Sequence, residues 1–399
     1  MQLKNISGRS ILFGPCICLF FLASCKKESD AFPDLTIQDV SQVRTTSESI
    51  MEFILSVNAP STKTVSVDYE LEDGTAASPG DFVSASGTVS IPANQTQASI
   101  DVTIKGDPLN TRQPNLQFTV KLSNPVYCTI TTPSANGIII TEDGTYLPTD
   151  DTGFSTPETY PGYSLVWSDE FSGTNLDLNF WNHELGNGSS GWGNNELEYY
   201  TNSYRNVFVS NGNLIIEARR ESFSNFNYTS SRLTTQGKKA FKFGRIDIRA
   251  KLPIGKGIWP ALWMLGSNIN SVGWPACGET DIMELIGSIP GTVTGTMHWK
   301  GAGGGHASKG ENYDLPSGDF SEQFHVFSIE WTEDNIKWYI DDQLFLATSS
   351  SDTGAEYYPF NADQFFIFNV AVGGNWPGSP DYTTVFPQRM FVDYVRVFQ

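Results

Sequence analysis

Three carboxylates, Glu279, Asp281 and Glu284, fall within GETDIMEL (residues 278–285), a segment that otherwise has the apolar character of a buried strand. Side chains alternate faces along a strand, so Glu279 and Asp281 point the same way, while strict alternation turns Glu284 away. One inserted residue near Met283, a β-bulge, returns Glu284 to the face of the other two. At ~3.3 Å per residue the outer glutamates then have backbones on the order of 13 Å apart. Side chains leaning inward narrow that gap towards the ~5–5.5 Å of a retaining glycosidase, in which one acid is the nucleophile and the other the acid/base. A middle aspartate raises a neighbour's pKa and shares a proton with it. The competing account is an exposed acidic strand face. Ile282, Met283, Leu285 and Ile286 argue against a wholly solvated segment, but spacing alone leaves both accounts open.

Other chemistries find little support. Cys277 lies two residues before Glu279 but has no base placed to activate it. His183, His306 and His325 lack metal-ligand spacing. GAGGGHASKG (residues 301–310) has glycines without phosphate-loop spacing, and no HExxH or GxSxG pattern occurs. The formal net charge of −19 disfavours a phosphate backbone as partner and is indifferent to a neutral polymer.

The elements that must position the acids are strands. FKFGRIDIRAKL, HVFSIEWTE, NIKWYID, FFIFNVAV and MFVDYVRVF recur as strand-like runs, and no long run sustains a helical period. All ten tryptophans and all four histidines lie beyond residue 160. Before them, residues 34–143 alternate with period two: Val65, Val67, Tyr69 and Leu71 share a face, as do Ile100, Val102 and Ile104, and Leu116, Phe118, Val120 and Leu122. Between the two parts, residues 144–160 are rich in Thr, Pro, Asp and Gly, which predicts an exposed, semi-extended linker. The chain is therefore expected to be all-β, with a smaller β-sandwich preceding a larger one over 161–399.

Two family resemblances sharpen this outline. The order VDYELEDGTAASPGDF, GTVSIPANQTQASIDVTI, LQFTVKLSNP, IIITED resembles a Calx-beta domain. That resemblance names Asp73, Asp81, Asp107 and Asp143 as calcium candidates, although PLNTRQPN after Asp107 lacks further acids and a spacer or accessory role fits better. Residues 161–399 resemble glycoside hydrolase family 16, in its laminarinase-like branch, through LVWSDEF, FWNHELG, GWGNNELEYYT, FGRIDIRAKLP, GIWPALWMLG, GETDIMELIG, GTMHW, FSIEWT, NVAVGGNWPG and DYVRVF, in order. The resemblance implies a jelly roll with Glu279 as nucleophile, Asp281 as its assistant and Glu284 as acid/base, with Met283 as the extra residue of the bulged motif. It implies that Trp259 and Trp263 lie along the cleft, with His298 near the acids and Asn195, Glu196 and Arg245 on the glycone side. Trp274, which approaches the acids in sequence, and Trp299 and Trp376 beyond them are further candidates, as indoles offer apolar platforms to sugar rings. Core packing is the competing account for any one of them. Arg245 contacts sugar or locks carboxylates, an alternative that stays open. Trp167, Trp331 and Trp338 sit in regular strand patterns and are expected in the core.

No cofactor is needed for such chemistry; the resemblance also implies a structural calcium on the convex side, held by Glu170, the Gly212 carbonyl and Asp393. The expected partner is a β-1,3-glucan. Mixed-linkage glucan, agarose and carrageenan are alternatives, as is a non-catalytic glycan-binding role. Finally, Lys4, Arg9 and a short apolar run ending in Leu22-Ala23-Ser24-Cys25 resemble a lipoprotein signal peptide over 1–25, with Cys25 lipidated and residues 26–33 as a tether. A monomer anchored in a bacterial cell envelope, at the outer membrane, is the expected setting.

Overall fold

The computed structural model describes residues 32–354 and 358–399, so Cys25 and the tether up to residue 31 lie outside the described residues. The first unit packs a four-stranded sheet (Gln97–Ile104, Ser49–Val57, Asp34–Ile37, Thr129–Ile130) against a five-stranded one (Val40–Val43, Ser134–Ile140, Leu116–Val126, Val65–Glu72, Ser86–Ile91). The alternating faces meet as expected: Val65, Val67, Leu71, Ile100, Val102, Ile104, Phe118, Val120 and Leu122 are buried together around Phe53 and Phe82.

The larger unit is also two packed sheets. One has seven strands in the order Asn182–Glu184, Arg232–Thr234, Gln364–Val372, Ile258–Gly266, Glu279–Leu285, Thr292–Lys300, His306–Asp314. The second includes Asn213–Phe223, Gln388–Phe398, Gly244–Lys251, His325–Trp331 and Asn335–Ile340 as neighbours. Between them lies one core containing Trp167, Trp181, Trp331, Trp338, Ile282, Met283 and Leu285. Trp299 joins this core, donating Nε1–H to the Thr353 carbonyl.

The segment expected to be an exposed, semi-extended linker is mostly exposed and without regular structure, but a few anchor points strap it across the second sheet. Leu147 is buried against Phe208 and Ile215, the Thr156 amide donates to the Tyr394 hydroxyl (2.9 Å), and the Tyr160 hydroxyl donates to Asp247 (2.7 Å). Composition gives the exposure but not the anchoring, because an extended Thr/Pro segment can have its backbone satisfied by side chains as well as by water, and Arg249 supplies such donors to the Phe154 and Asp151 carbonyls. The small sandwich is docked by the same surface. Arg112 is buried, pairs with Glu217 (3.1 Å), and donates to the Tyr204 and Arg205 carbonyls. Asp143 reaches Arg205 and Arg219 of the larger unit.

Candidate active site

The acid strand Glu279–Leu285 lies between Ile258–Gly266 and Thr292–Lys300. On one side Trp263 pairs with Asp281 and Leu262 with Met283; on the other Asp281 pairs with Thr296 and Glu284 with Thr294. Ile282 and Met283 thus share the space of one residue, the bulge expected from the sequence, and their side chains go to the core. Glu279, Asp281 and Glu284 all turn into a single cleft of about 620 Å³. Two features beneath it hold the bulge. Trp338 donates Nε1–H to the Asp281 carbonyl (2.8 Å). Gly295 lies opposite the bulge, and a Cβ there would come within 2.7 Å of the Trp338 ring.

Each acid meets a different partner. Trp274 donates Nε1–H to Glu279 Oε2 (3.0 Å), and Trp259 donates Nε1–H to Glu284 Oε1 (3.0 Å). His298 Nε2 lies 3.0 Å from Asp281 Oδ2 and 3.8 Å from Glu279 Oε1. Burial, together with the Asp281 charge, pushes the Glu279 carboxyl up to about 8. Burial raises Asp281 too. Glu284 is raised well above the ordinary carboxylate range by burial and then by Asp281 and Glu279. A carboxyl that keeps its proton near neutral pH can act as a general acid, and one aided by a shared proton can serve as a nucleophile.

Around the acids the lining is aromatic. Trp259 and Trp376 meet edge to face at 5.5 Å, and Trp376 is half exposed. Trp263 donates Nε1–H to Asn369 Oδ1 (2.8 Å), Asn369 donates to the Tyr200 hydroxyl, and Tyr200 donates to Glu196. Flat apolar faces with polar edges suit sugar rings. Glu196 therefore lines the cleft as expected, but Asn195 stands on its rim, tied to Asn375 (2.9 Å), while Asn194 takes the lining position.

Arg245 is a correction. It lies in the second sheet, clamped by Asp247 (2.8 Å) and Asp342 (2.6 Å), and does not line the cleft. In Gly244–Lys251, Arg245, Asp247 and Arg249 alternate with core residues Ile246, Ile248 and Ala250, so all three point outward. The arginine of the cleft is Arg232, stacked between Trp192 (4.3 Å) and Trp263 (4.8 Å). Arg232, Trp192, His306 and Asn369 were missed because each reaches the cleft from a different strand or loop. Trp192 and Asn369 lie inside quoted motifs and His306 inside the quoted glycine stretch, but nothing local sets them apart; Arg232 lies in none of these.

The oxygen-bearing positions expected to hold calcium lie along the second sheet, but Glu170 engages Arg396 through both oxygens (2.9 and 2.7 Å) and Asp393 engages Arg249 (2.8 Å). As placed, Glu170, Gly212 and Asp393 do not present the free oxygen cage a hard cation wants. In the small sandwich Asp81 pairs with Arg44, Asp73 and Asp107 accept backbone N–H groups, and Asp143 joins the interface. Burial and Glu279 push the Cys277 thiol up to about 11, so it is no thiolate at neutral pH.

A family model, Glycosyl hydrolases family 16, matches residues 194–396. The chain belongs to that family. The Calx-beta domain model matches residues 35–144 of the same chain, which places that domain ahead of the family 16 domain. Glucan endo-1,3-beta-glucosidase A1 of Niallia circulans is 41% identical over 273 residues, which are 62% of this chain and 39% of that protein's length. The Beta-glucanase of Rhodothermus marinus is 42% identical over 252 residues, 60% of this chain and 86% of its own length. The laminarinase catalytic domain of Thermotoga maritima superposes with a TM-score of 0.56 at 54% identity, over 59% of this chain and 98% of that one. The matched family 16 region contains the whole acid row.

Proposed function

We propose that this protein is a retaining endo-hydrolase of β-1,3-glucan. The observation that carries the reading is the bulged strand, which turns Glu279, Asp281 and Glu284 into one aromatic cleft with a separate indole donor on each glutamate. Glu279 attacks the anomeric carbon while Glu284 gives its proton to the leaving glycosidic oxygen. Glu284, now ionised, then takes a proton from water, which attacks the same carbon and releases Glu279. Asp281 and His298 steady the charge that Glu279 loses on forming the glycosyl ester and regains on hydrolysis. Two of the relatives named above support the linkage, the glucan endo-1,3-beta-glucosidase of Niallia circulans and the laminarinase domain of Thermotoga maritima.

A lipid anchor at Cys25, an outer-membrane location and a monomeric state belong to the same proposal and rest on sequence alone. The test is release of reducing ends from laminarin by the purified protein, beside Glu284→Gln. Turnover in the first and none in the second is expected. Absence of release from folded protein would sink the linkage assignment and bring mixed-linkage glucan, agarose and carrageenan forward. Binding of laminarin without turnover would favour a glycan-binding role.

A further inference from the structure

His306 opens the strand His306–Asp314 directly after the glycine-rich turn 301–305, and nothing in the sequence assigns it a role. Its ring stacks on His298 at 5.0 Å and meets Trp274 at 4.8 Å, tilted by 41°. Its Nε2 lies 2.8 Å from His298 Nδ1. It thus touches both side chains that contact the nucleophile pair: His298, against Asp281 and Glu279, and Trp274, which donates to Glu279.

One proton must occupy the contact between the two imidazoles. If a neutral His298 carries it on Nδ1, a bare Nε2 lone pair faces Asp281 Oδ2 at 3.0 Å, which is tolerable only when Asp281 holds a proton. If His306 carries it on Nε2, His298 keeps its own proton on Nε2 and donates to the ionised Asp281. The hydrogen bond made by one ring nitrogen sets what the other presents. The two arrangements interconvert by balanced transfer: the Asp281 proton passes to His298 Nε2 as the Nδ1 proton passes to His306 Nε2. The exposed ring of His306 then returns a proton to water from Nδ1.

We propose that His306 is a positioning residue for the nucleophile side of the cleft, fixing the tautomer of His298 and connecting Asp281 to solvent through it. This rests on the hydrolase reading above. The titratable and charged groups around the histidine pair are Glu279, Asp281 and Glu284 on the acid strand, Lys300 across the ladder from His306, and Arg232 from the far side of the cleft. None of these offers a second partner to His298 Nδ1 among the described residues.

The experiment compares His306→Phe, which keeps a stacking ring and loses both nitrogens, with His306→Gln, whose amide N–H can still donate to His298 Nδ1. In His306→Phe, kcat on laminarin should fall about tenfold with KM little changed. The acid limb of kcat/KM should move up by about one pH unit, the worth of a hydrogen bond to a charged group. His306→Gln should restore most of both. Nitrogen-15 NMR of the histidine rings, read without substrate at pH 9, where Asp281 is ionised, should show His298 as the Nε2–H form in the wild type and as a mixture in His306→Phe. That signature stands whether or not laminarin is the substrate, so failure of the linkage assignment remains distinguishable. A His306→Phe variant with wild-type kcat and acid limb, equal behaviour of the two variants, or an unchanged His298 tautomer would overturn the proposal.

Discussion

The family 16 domain buries two sets of carboxylates and treats them in opposite ways. On the second sheet Glu217, with no exposed side-chain surface, takes Arg112, Arg219 and Arg389, while the buried Asp247 takes Arg245. In the cleft Glu279, Asp281 and Glu284 meet two indoles and one imidazole, and none has a lysine or arginine in direct contact among the described residues. A buried carboxylate ringed by guanidinium groups is paired on every side and serves as a structural fixture. Carboxyl groups crowded together without cations share protons instead, so that one can give a proton while its neighbour stays ionised to attack. The difference separates architecture from chemistry more clearly than residue type does.

The comparison breaks hardest at the acids themselves. Glu279→Gln and Glu284→Gln should each lower kcat on laminarin by on the order of 10³-fold or more, measured by reducing ends, with the fold intact by circular dichroism. On the other side, Glu217→Ala should leave three arginines facing one another and cost about 3–5 kcal/mol in urea unfolding, with kcat/KM of the folded fraction unchanged. Stability against pH gives a sharper contrast. The folded-state values of the cleft acids lie above the ordinary carboxylate range, so their contribution is fully present below that range and is lost as pH rises through about 8. Asp281→Asn should therefore have a higher Tm than the wild type at pH 9, with the advantage vanishing near pH 4. A smaller effect is expected from Trp259→Phe: loss of the N–H on Glu284 should cost about tenfold in kcat, near 1.4 kcal/mol. The smallest is calcium, which should leave Tm nearly unchanged in chelator-stripped protein, because Glu170 and Asp393 are already engaged by arginines.

Much of the cleft was legible because the acid row breaks a local rule. Period-two alternation fails at Ile282 and Met283, and only a bulge reconciles three acids with an apolar underside. Alternation likewise located the small sandwich's core. It also contained the warning about Arg245, since Arg245, Asp247 and Arg249 recur every second residue and so share one outward face. What alternation cannot tell is which sheet a strand joins, so the sequence reading puts Arg245 at the cleft and not Arg232. Nor does local composition reveal a docking partner: the linker looked unanchored because Tyr394, Arg249 and Asp247, which satisfy it, lie far along the chain. His306 lay hidden beside a glycine-rich turn for the same reason, since its meaning depends on stacking across a ladder.

The strap over residues 144–160 has a practical consequence for modular engineering. The apparent seam at residue 161 is a poor place to cut, because excision there would uncover Phe208 and Ile215 and take the partners from Tyr394 and Arg249. A transplantable cassette should begin ahead of Leu147, or carry the small sandwich along with it.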